Sequence, residues 1–369
     1  MPDDEVLHDS VARFRDATEG RTMKRRTFLS MCAILGVSAA AARLTPAAAA
    51  SDEIVLVNWG GDAVKAMKAA FVDPFLAKNP GAEVVIDGAG PATGKIKAMV
   101  QSGHVTWDAM DRNLHTSIEL GRQGLLEKID YSVVDKSMVR PGHFSDWGIG
   151  SYLYAHVPTF NTKAWGGATP KSWADIWNVK DFPGKRAFRR QQIDGMVEAA
   201  LLADGVPADK LYPLDVKRAL AKIREIKEHA IFYDSLSQSQ QLFREREAVA
   251  GVVLNTRATP LVRDTDGEVQ FIWDQGIVWI ATWMVPKGNP AGAKVWPLIR
   301  SMQEPEGQVE LFKLLGNGPI HPKAAAMVPD DLKPFDPGTH YDKMILGDAE
   351  WYAANATEVT AQYMDAISS

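Results

Sequence analysis

Residues Gly90-Pro91-Ala92-Thr93-Gly94-Lys95 follow an apolar, strand-like run and open a helical one, the setting in which a glycine-rich loop cradles phosphate. The pattern is incomplete. Ala89 stands where the first glycine belongs and Ile96 where a magnesium-binding hydroxyl belongs, so the stretch reads as a turn and a helix start. The eight histidines show no H-E-x-x-H or other zinc spacing, and a strand and a helix start separate His104 from His115. No G-x-S-x-G elbow occurs. The single cysteine, Cys32, lies in an N-terminal apolar segment, which excludes a disulfide framework and a thiol nucleophile in the chain that follows. Nothing has catalytic spacing, so no catalytic residue, metal or cofactor is expected.

What remains is suited to holding a small molecule. Trp59, one of 11 tryptophans, sits with Asn58, Gly60 and Gly61 in a turn after the first strand-like run, at the edge where open α/β sheets bind ligands. Trp279, Ala281 and Trp283 alternate along residues 277–285 and share one face of a strand. Core packing is the alternative for any one of these rings.

The elements that must position these residues alternate. Strands are expected at 54–57, 83–87 and 107–110, with helices at 63–79, 94–101 and 114–122. A Gly/Pro-punctuated stretch, 166–184, leads to a second set: strands at 186–188, 231–233, 250–254 and 269–273, and helices at 194–202, 216–229 and 237–246. Two α/β lobes follow from this layering. The 369 residues are 46% hydrophobic, enough for sizeable cores. With 41 Lys+Arg against 46 Asp+Glu, a net charge of −5 gives no basic field for nucleic acid.

At the N-terminus, Lys24-Arg25-Arg26-Thr27-Phe28-Leu29-Ser30 precedes an apolar run at 31–42 and Ala47 to Ala50. The run is shorter than the ~20 residues of a bilayer-spanning helix. Residues 1–50 therefore read as a twin-arginine export leader cleaved near Ala50, which places the mature protein in the periplasm and makes the Tat machinery a partner.

On Asn58-Trp59-Gly60-Gly61, Pro74-Phe75, Trp107-Asp108, Gly124-Leu125-Leu126, Pro170-Lys171-Ser172-Trp173-Ala174-Asp175-Ile176-Trp177, Gly251 to Asn255, Trp279 with Pro286, and Asn317-Gly318-Pro319-Ile320-His321-Pro322, the chain resembles the periplasmic solute-binding proteins of ABC importers, specifically the spermidine/putrescine-binding type. The resemblance implies an α/β, two-lobed periplasmic-binding-protein fold of type II, with a ligand cleft between lobes joined by crossing strands near 154–161 and 279–285. It implies lobe 1 at 51–158 plus about 284–330, lobe 2 at 159–283, and C-terminal helices at 331–369 packing on the lobes. It implies a monomer that delivers its small-molecule ligand to an ABC permease in the inner membrane.

Cleft-lining positions of that family fall on Trp59, Asp62, Asn113, His115, Gln192, Gly195, Asn255, Arg257, Trp279 and Ala281, and Arg112, Arg189, Arg190 and Arg257 lie near the cleft that the resemblance implies, where they suit a carboxylate or phosphonate against the alternative of solvated surface charge. Polyamine binders carry acids where this chain has Gln192, Gly195 and Ala281. A buried diammonium ligand without counter-carboxylates costs several kcal/mol per charge, more than a cation–π contact of about 2 kcal/mol offsets. A nitrogen-containing solute with an acid group, amino-acid-like or a carboxylate, is therefore expected ahead of a true polyamine. The rival classes are an exported enzyme and a receptor subunit that presents solutes to a chemosensor.

Overall fold

Residues Glu53–Val57 form β1, in which Ile54, Leu56 and Val57 are buried, as an apolar run in a sheet covered on both faces requires. The protein was analysed as a computed structural model that describes residues 53–190 and 193–368, so the expected leader and Gln192 lie outside the described residues. After β1 come α1 (Asp62–Met67), α2 (Asp73–Lys78), β2 (Glu83–Asp87), α3 (Thr93–Ser102), β3 (Ala109–Asn113), α4 (Leu114–Arg122) and β4 (Ile149–Asn161). Next are α5 (Trp173–Trp177), β5 (Arg186–Arg189), α6 (Met196–Ala203), α7 (Val216–Ile226), β6 (Ala230–Tyr233), α8 (Leu236–Arg244), β7 (Ala250–Leu254), α9 (Asn255–Asp264), β8 (Val269–Phe271) and β9 (Ile277–Met284). The chain ends with α10 (Val295–Ser301), α11 (Pro305–Leu315), β10 (Ile345–Leu346) and α12 (Ala349–Ser368).

The strand order β2-β1-β3-β9-β4-β7-β5-β6 has a simple reading. Two parallel triplets, β2-β1-β3 and β6-β5-β7, flank a central antiparallel pair, β9 and β4. Each triplet needs helical crossovers, which α1 to α3 and α6 to α8 supply. The chain passes from the first triplet to the second along β4, whose 13 residues are all buried, and returns along β9. Amphipathic α7 shows how the layers form. Ala219, Leu220, Ile223 and Ile226 face inward, and Asp215 caps the helix by accepting the Arg218 N–H at 3.0 Å.

Several expected elements moved. The strand expected at 107–110 is Ala109–Asn113, and Trp107 sits before it with its indole donating to Asp87 at 2.8 Å. The helix expected at 63–79 contains a π-helical turn, Lys68–Val72, where α11 approaches so closely that a Cβ on Gly307 would lie 2.7 Å from the Ala70 carbonyl. The expected C-terminal helices are a series of short turns, the strand β10 pairing parallel with β9, and the single helix α12. Among the described residues no helix is long and apolar enough to cross a membrane.

Candidate functional site

The turn after β1 is built for close approach. Asn58 is buried, its side chain accepts the Gly60 N–H at 2.9 Å, and its backbone bonds Asp87 and Gly90 across to β2. Gly60 has φ 75°, and a Cβ there would lie 2.6 Å from the Gly88 carbonyl oxygen. Trp59 is thereby presented outward, 45% exposed, with its indole N–H donating to Asp111 Oδ2 at 2.9 Å.

Asp111, Arg112 and Asn113 end β3 and contribute three different chemistries. Asp111 is fully buried, and the Tyr152 hydroxyl of β4 also donates to it. Burial pushes its carboxyl up, while the Tyr152 and Trp59 donors and the nearby Arg112 charge pull it back. The Arg112 guanidinium stands 5.3 Å from the centroid of the Trp59 ring. Burial lowers its pKa, Arg189 adds to that, and Asp194, Tyr154 and Asp111 oppose it. Its Nε is a buried donor with no acceptor among the described residues.

Asn113 joins the two halves of the sheet. Its Nδ2 donates to Asp194 Oδ2 at 3.1 Å, and its Oδ1 accepts the Tyr154 hydroxyl at 2.6 Å. The same hydroxyl lies 3.2 Å from Asp194, and His156 Nε2 is 3.8 Å from that carboxylate. Asp194 holds this position because Gly195 turns the chain at φ 83°, with the His156 ring filling the space a Cβ would take, 2.3 Å away. Opposite them, on the first turn of α9, Arg257 is part-buried. Burial lowers its pKa and Arg189 adds to that, while Tyr152, Asp62 and Tyr233 oppose it.

Of the residues singled out in the sequence, Trp59, Asp62, Arg112, Asn113 and Arg257 come together. The others go elsewhere. Asn255 is a buried brace, its Oδ1 accepting the Ala155 N–H at 2.8 Å and its Nδ2 donating to the Gly316 carbonyl at 3.0 Å. Trp279 is 1% exposed and turned to the C-terminal helix, its ring 4.9 Å from Tyr352 and 5.5 Å from His115. His115 is sealed in that aromatic cluster, and burial lowers its pKa to about 4, so it is neutral at pH 7. Arg190 faces away and pairs with Asp234 at 3.2 Å while also donating to the Phe232 carbonyl. Its neighbour Arg189 acts on Arg112 and Arg257 instead.

Asp111, Tyr152, Tyr154 and Asp194 were not anticipated from sequence. Asp194 had a signal, since an Asp-Gly pair before an apolar helix can turn the acid outward as readily as cap the helix. At the position of a missing family acid, Gly195 has no room for any side chain, and Asp194 one residue earlier brings a carboxylate back. The cluster thus sets three guanidiniums, Arg112, Arg189 and Arg257, near two buried acids, Asp111 and Asp194, the second bonded from across the sheet by Asn113. A groove of about 640 Å³ lined by Leu114, Ile118, Trp147, Tyr212 and Gly347 lies apart from this cluster, and none of the three guanidiniums lines it. No group of three or more metal-ligating side chains occurs among the described residues.

Two parallel half-sheets joined by crossing strands, with charged side chains converging where their ends meet, define a two-lobed binding protein. The chain belongs to the bacterial extracellular solute-binding protein family, whose model matches residues 70–334. It is 29% identical over 310 residues, 82% of this chain and 86% of the relative, to the gamma-aminobutyric acid-binding protein of Pseudomonas aeruginosa. It is similar to the solved Atu4243-GABA receptor, at 34% identity and a TM-score of 0.80, covering 85% of this chain and 97% of that one. An ABC transporter substrate-binding protein from Bradyrhizobium japonicum matches at 30% identity and a TM-score of 0.80, over 86% of this chain and 99% of its own. The expected α/β two-lobed fold and the solute-binding role in ABC transport therefore hold.

Proposed function

We propose that this protein captures a small amino carboxylate of the γ-aminobutyrate class in the periplasm and delivers it to an inner-membrane ABC permease. The observation that carries this reading is the pairing of opposite charges across the sheet centre. Arg112 has a buried, unpartnered Nε and stands with Arg189 and Arg257, while Asp194 presents a carboxylate from the other half. The guanidiniums suit the solute's carboxylate, Asp194 its ammonium, and the Trp59 face its methylene stem. A diammonium ligand would set one positive end beside three guanidiniums, so polyamines are disfavoured. The names of the similar proteins point the same way.

The remaining parts of this reading concern setting. Residues 1–50 act as a Tat leader removed near Ala50, and the mature protein works as a monomer without catalysis. Residues 51–158 with about 284–330 move as one lobe and 159–283 as the other. Calorimetry of the full protein with γ-aminobutyrate, glutamate, putrescine and spermidine tests the solute. γ-Aminobutyrate should bind best, and Arg257→Ala should weaken it roughly 10- to 150-fold by removing a charge-assisted hydrogen bond. Submicromolar polyamine binding that survives Arg257→Ala and Arg112→Ala would sink the reading.

A further inference from the structure

Glu198, on the first turn of α6, is fully buried directly behind the site. Its carboxylate gathers donors from three separate segments: the Gly195 N–H at 2.9 Å, the Tyr212 hydroxyl at 2.6 Å and the Tyr352 hydroxyl of α12 at 3.0 Å. The Gly195 N–H follows immediately after Asp194. Whatever holds that peptide therefore fixes where the Asp194 carboxylate points.

Resting on the amino-carboxylate reading above, we infer that Glu198 is a positioning residue for the solute's amine end, which locks the Asp194–Gly195 turn and gives up a proton when a cationic group settles on Asp194. The proton leaves the Glu198 carboxyl for the solvent, and no other bond changes. Burial pushes this carboxyl up to about 7, the Tyr212 and Tyr352 hydroxyls pull it down, and the Asp194 charge pushes it up further. An ammonium on Asp194 offsets that last effect. Once ionised, Glu198 accepts all three donors at once, which a protonated carboxyl does less well, so solute binding and a firmer turn reinforce each other. The groups facing this locus are Tyr212 ahead of α7, Tyr352 on α12, Asp194 itself, and beyond Asp194 both His156 of β4 and Arg112 of β3.

Calorimetric titration of the full protein with γ-aminobutyrate at pH 7, in phosphate and in Tris, reads the proton through the difference in buffer ionisation heats. We expect a fraction of a proton released per solute bound, and an affinity that rises by up to about tenfold from pH 6 to pH 8. Glu198→Gln, which keeps an acceptor for the Gly195 N–H, should still bind, with neither effect. Tyr352→Phe removes a donor that favours the ionised form and should move the pH dependence upward, a test that stands even where Glu198→Gln folds poorly. Equal heats in both buffers for the unmodified protein would overturn the inference. So would proton release that persists in Glu198→Gln. Absence of heat with γ-aminobutyrate and glutamate alike would overturn the solute reading and this inference with it.

Discussion

Trp59 does three things at once, and each belongs to a different part of its indole. The N–H satisfies the buried Asp111, one face receives the Arg112 guanidinium, and the outer part of the ring remains open to a solute. Trp59→Phe keeps a face and loses the donor, whereas Trp59→Ala loses both. Trp59→Ala should weaken γ-aminobutyrate roughly 10- to 100-fold, consistent with about 1.5–3 kcal/mol of lost stacking and cation–π contact, and Trp59→Phe only a few-fold. Calorimetry distinguishes them, and equal losses in the two variants would mean that the Asp111 hydrogen bond, not the ring face, matters. Single residues of this kind were partly legible in the sequence. Trp59 announced itself through the glycines that follow it, and Arg112 and Arg257 only through the cleft that the family resemblance implied. Trp279 did not, because alternation identifies a shared face without saying what covers it, and here Gly347 and Tyr352 close over the ring.

At the scale of elements, Asp194 and Gly195, in the loop at the entry to α6, set the direction of a carboxylate. Gly195 adopts a left-handed φ that a side chain resists by about 1–2 kcal/mol, and its missing Cβ is where the His156 ring packs. Gly195→Ala should lower the melting temperature by several degrees and weaken γ-aminobutyrate more than tenfold, since Asp194 cannot keep its direction when the turn opens. Thermal unfolding and calorimetry measure the two effects, and an alanine variant that melts and binds normally would show the turn is not required. The sequence marked this loop as a helix start at 194, two residues early, because an Asp-Gly pair ahead of an apolar run imitates a cap. Regular elements fared better. The strands at 83–87 and 250–254 were read with their bounds intact, although the first is a half-exposed edge strand and only the second is buried throughout. Only the second part of β4 was foreseen, because Gly150 and Ser151 interrupt the apolar pattern where a register shift occurs opposite β9. The π-helical turn in the first crossover was invisible, since it answers a neighbour, Gly307, more than two hundred residues away in the chain.

The whole molecule carries a buried charge account that shows in its pH response. His115 lies between Trp279 and Tyr352, and burial lowers its pKa from 6.5 to about 4. Between these values the unfolded chain binds a proton that the folded protein refuses. The contribution to stability is therefore complete above about pH 6.5 and is lost as the pH falls toward 4. Replacing His115 by Gln should flatten this acid limb by up to about 3 kcal/mol in denaturant unfolding between pH 4 and 7. An unchanged limb would assign it to other groups, of which His143, with its pKa likewise lowered to about 4 by burial, is the first. The two-lobed plan itself was legible from the alternation of short apolar and amphipathic runs. What no local pattern could show is that α12 comes back to bond the Arg189 carbonyl through Tyr363 at 2.7 Å and Glu198 through Tyr352, so the last helix braces residues of the site.

The hydrogen bond from Asn113 to Asp194 has a consequence for which solutes can enter. Asp194 already accepts an N–H from the opposite half of the sheet at 3.1 Å and the Tyr154 hydroxyl at 3.2 Å, so the amine of the proposed solute competes there with donors already in place. A primary ammonium brings N–H groups of its own and loses nothing in the exchange. A quaternary ammonium carries the same charge but has no N–H, and its methyl shell holds that charge farther from the oxygen. On the proposed reading, betaine-like and carnitine-like compounds, though they match an amino carboxylate in charge, should therefore bind more weakly than γ-aminobutyrate, an order that calorimetry checks.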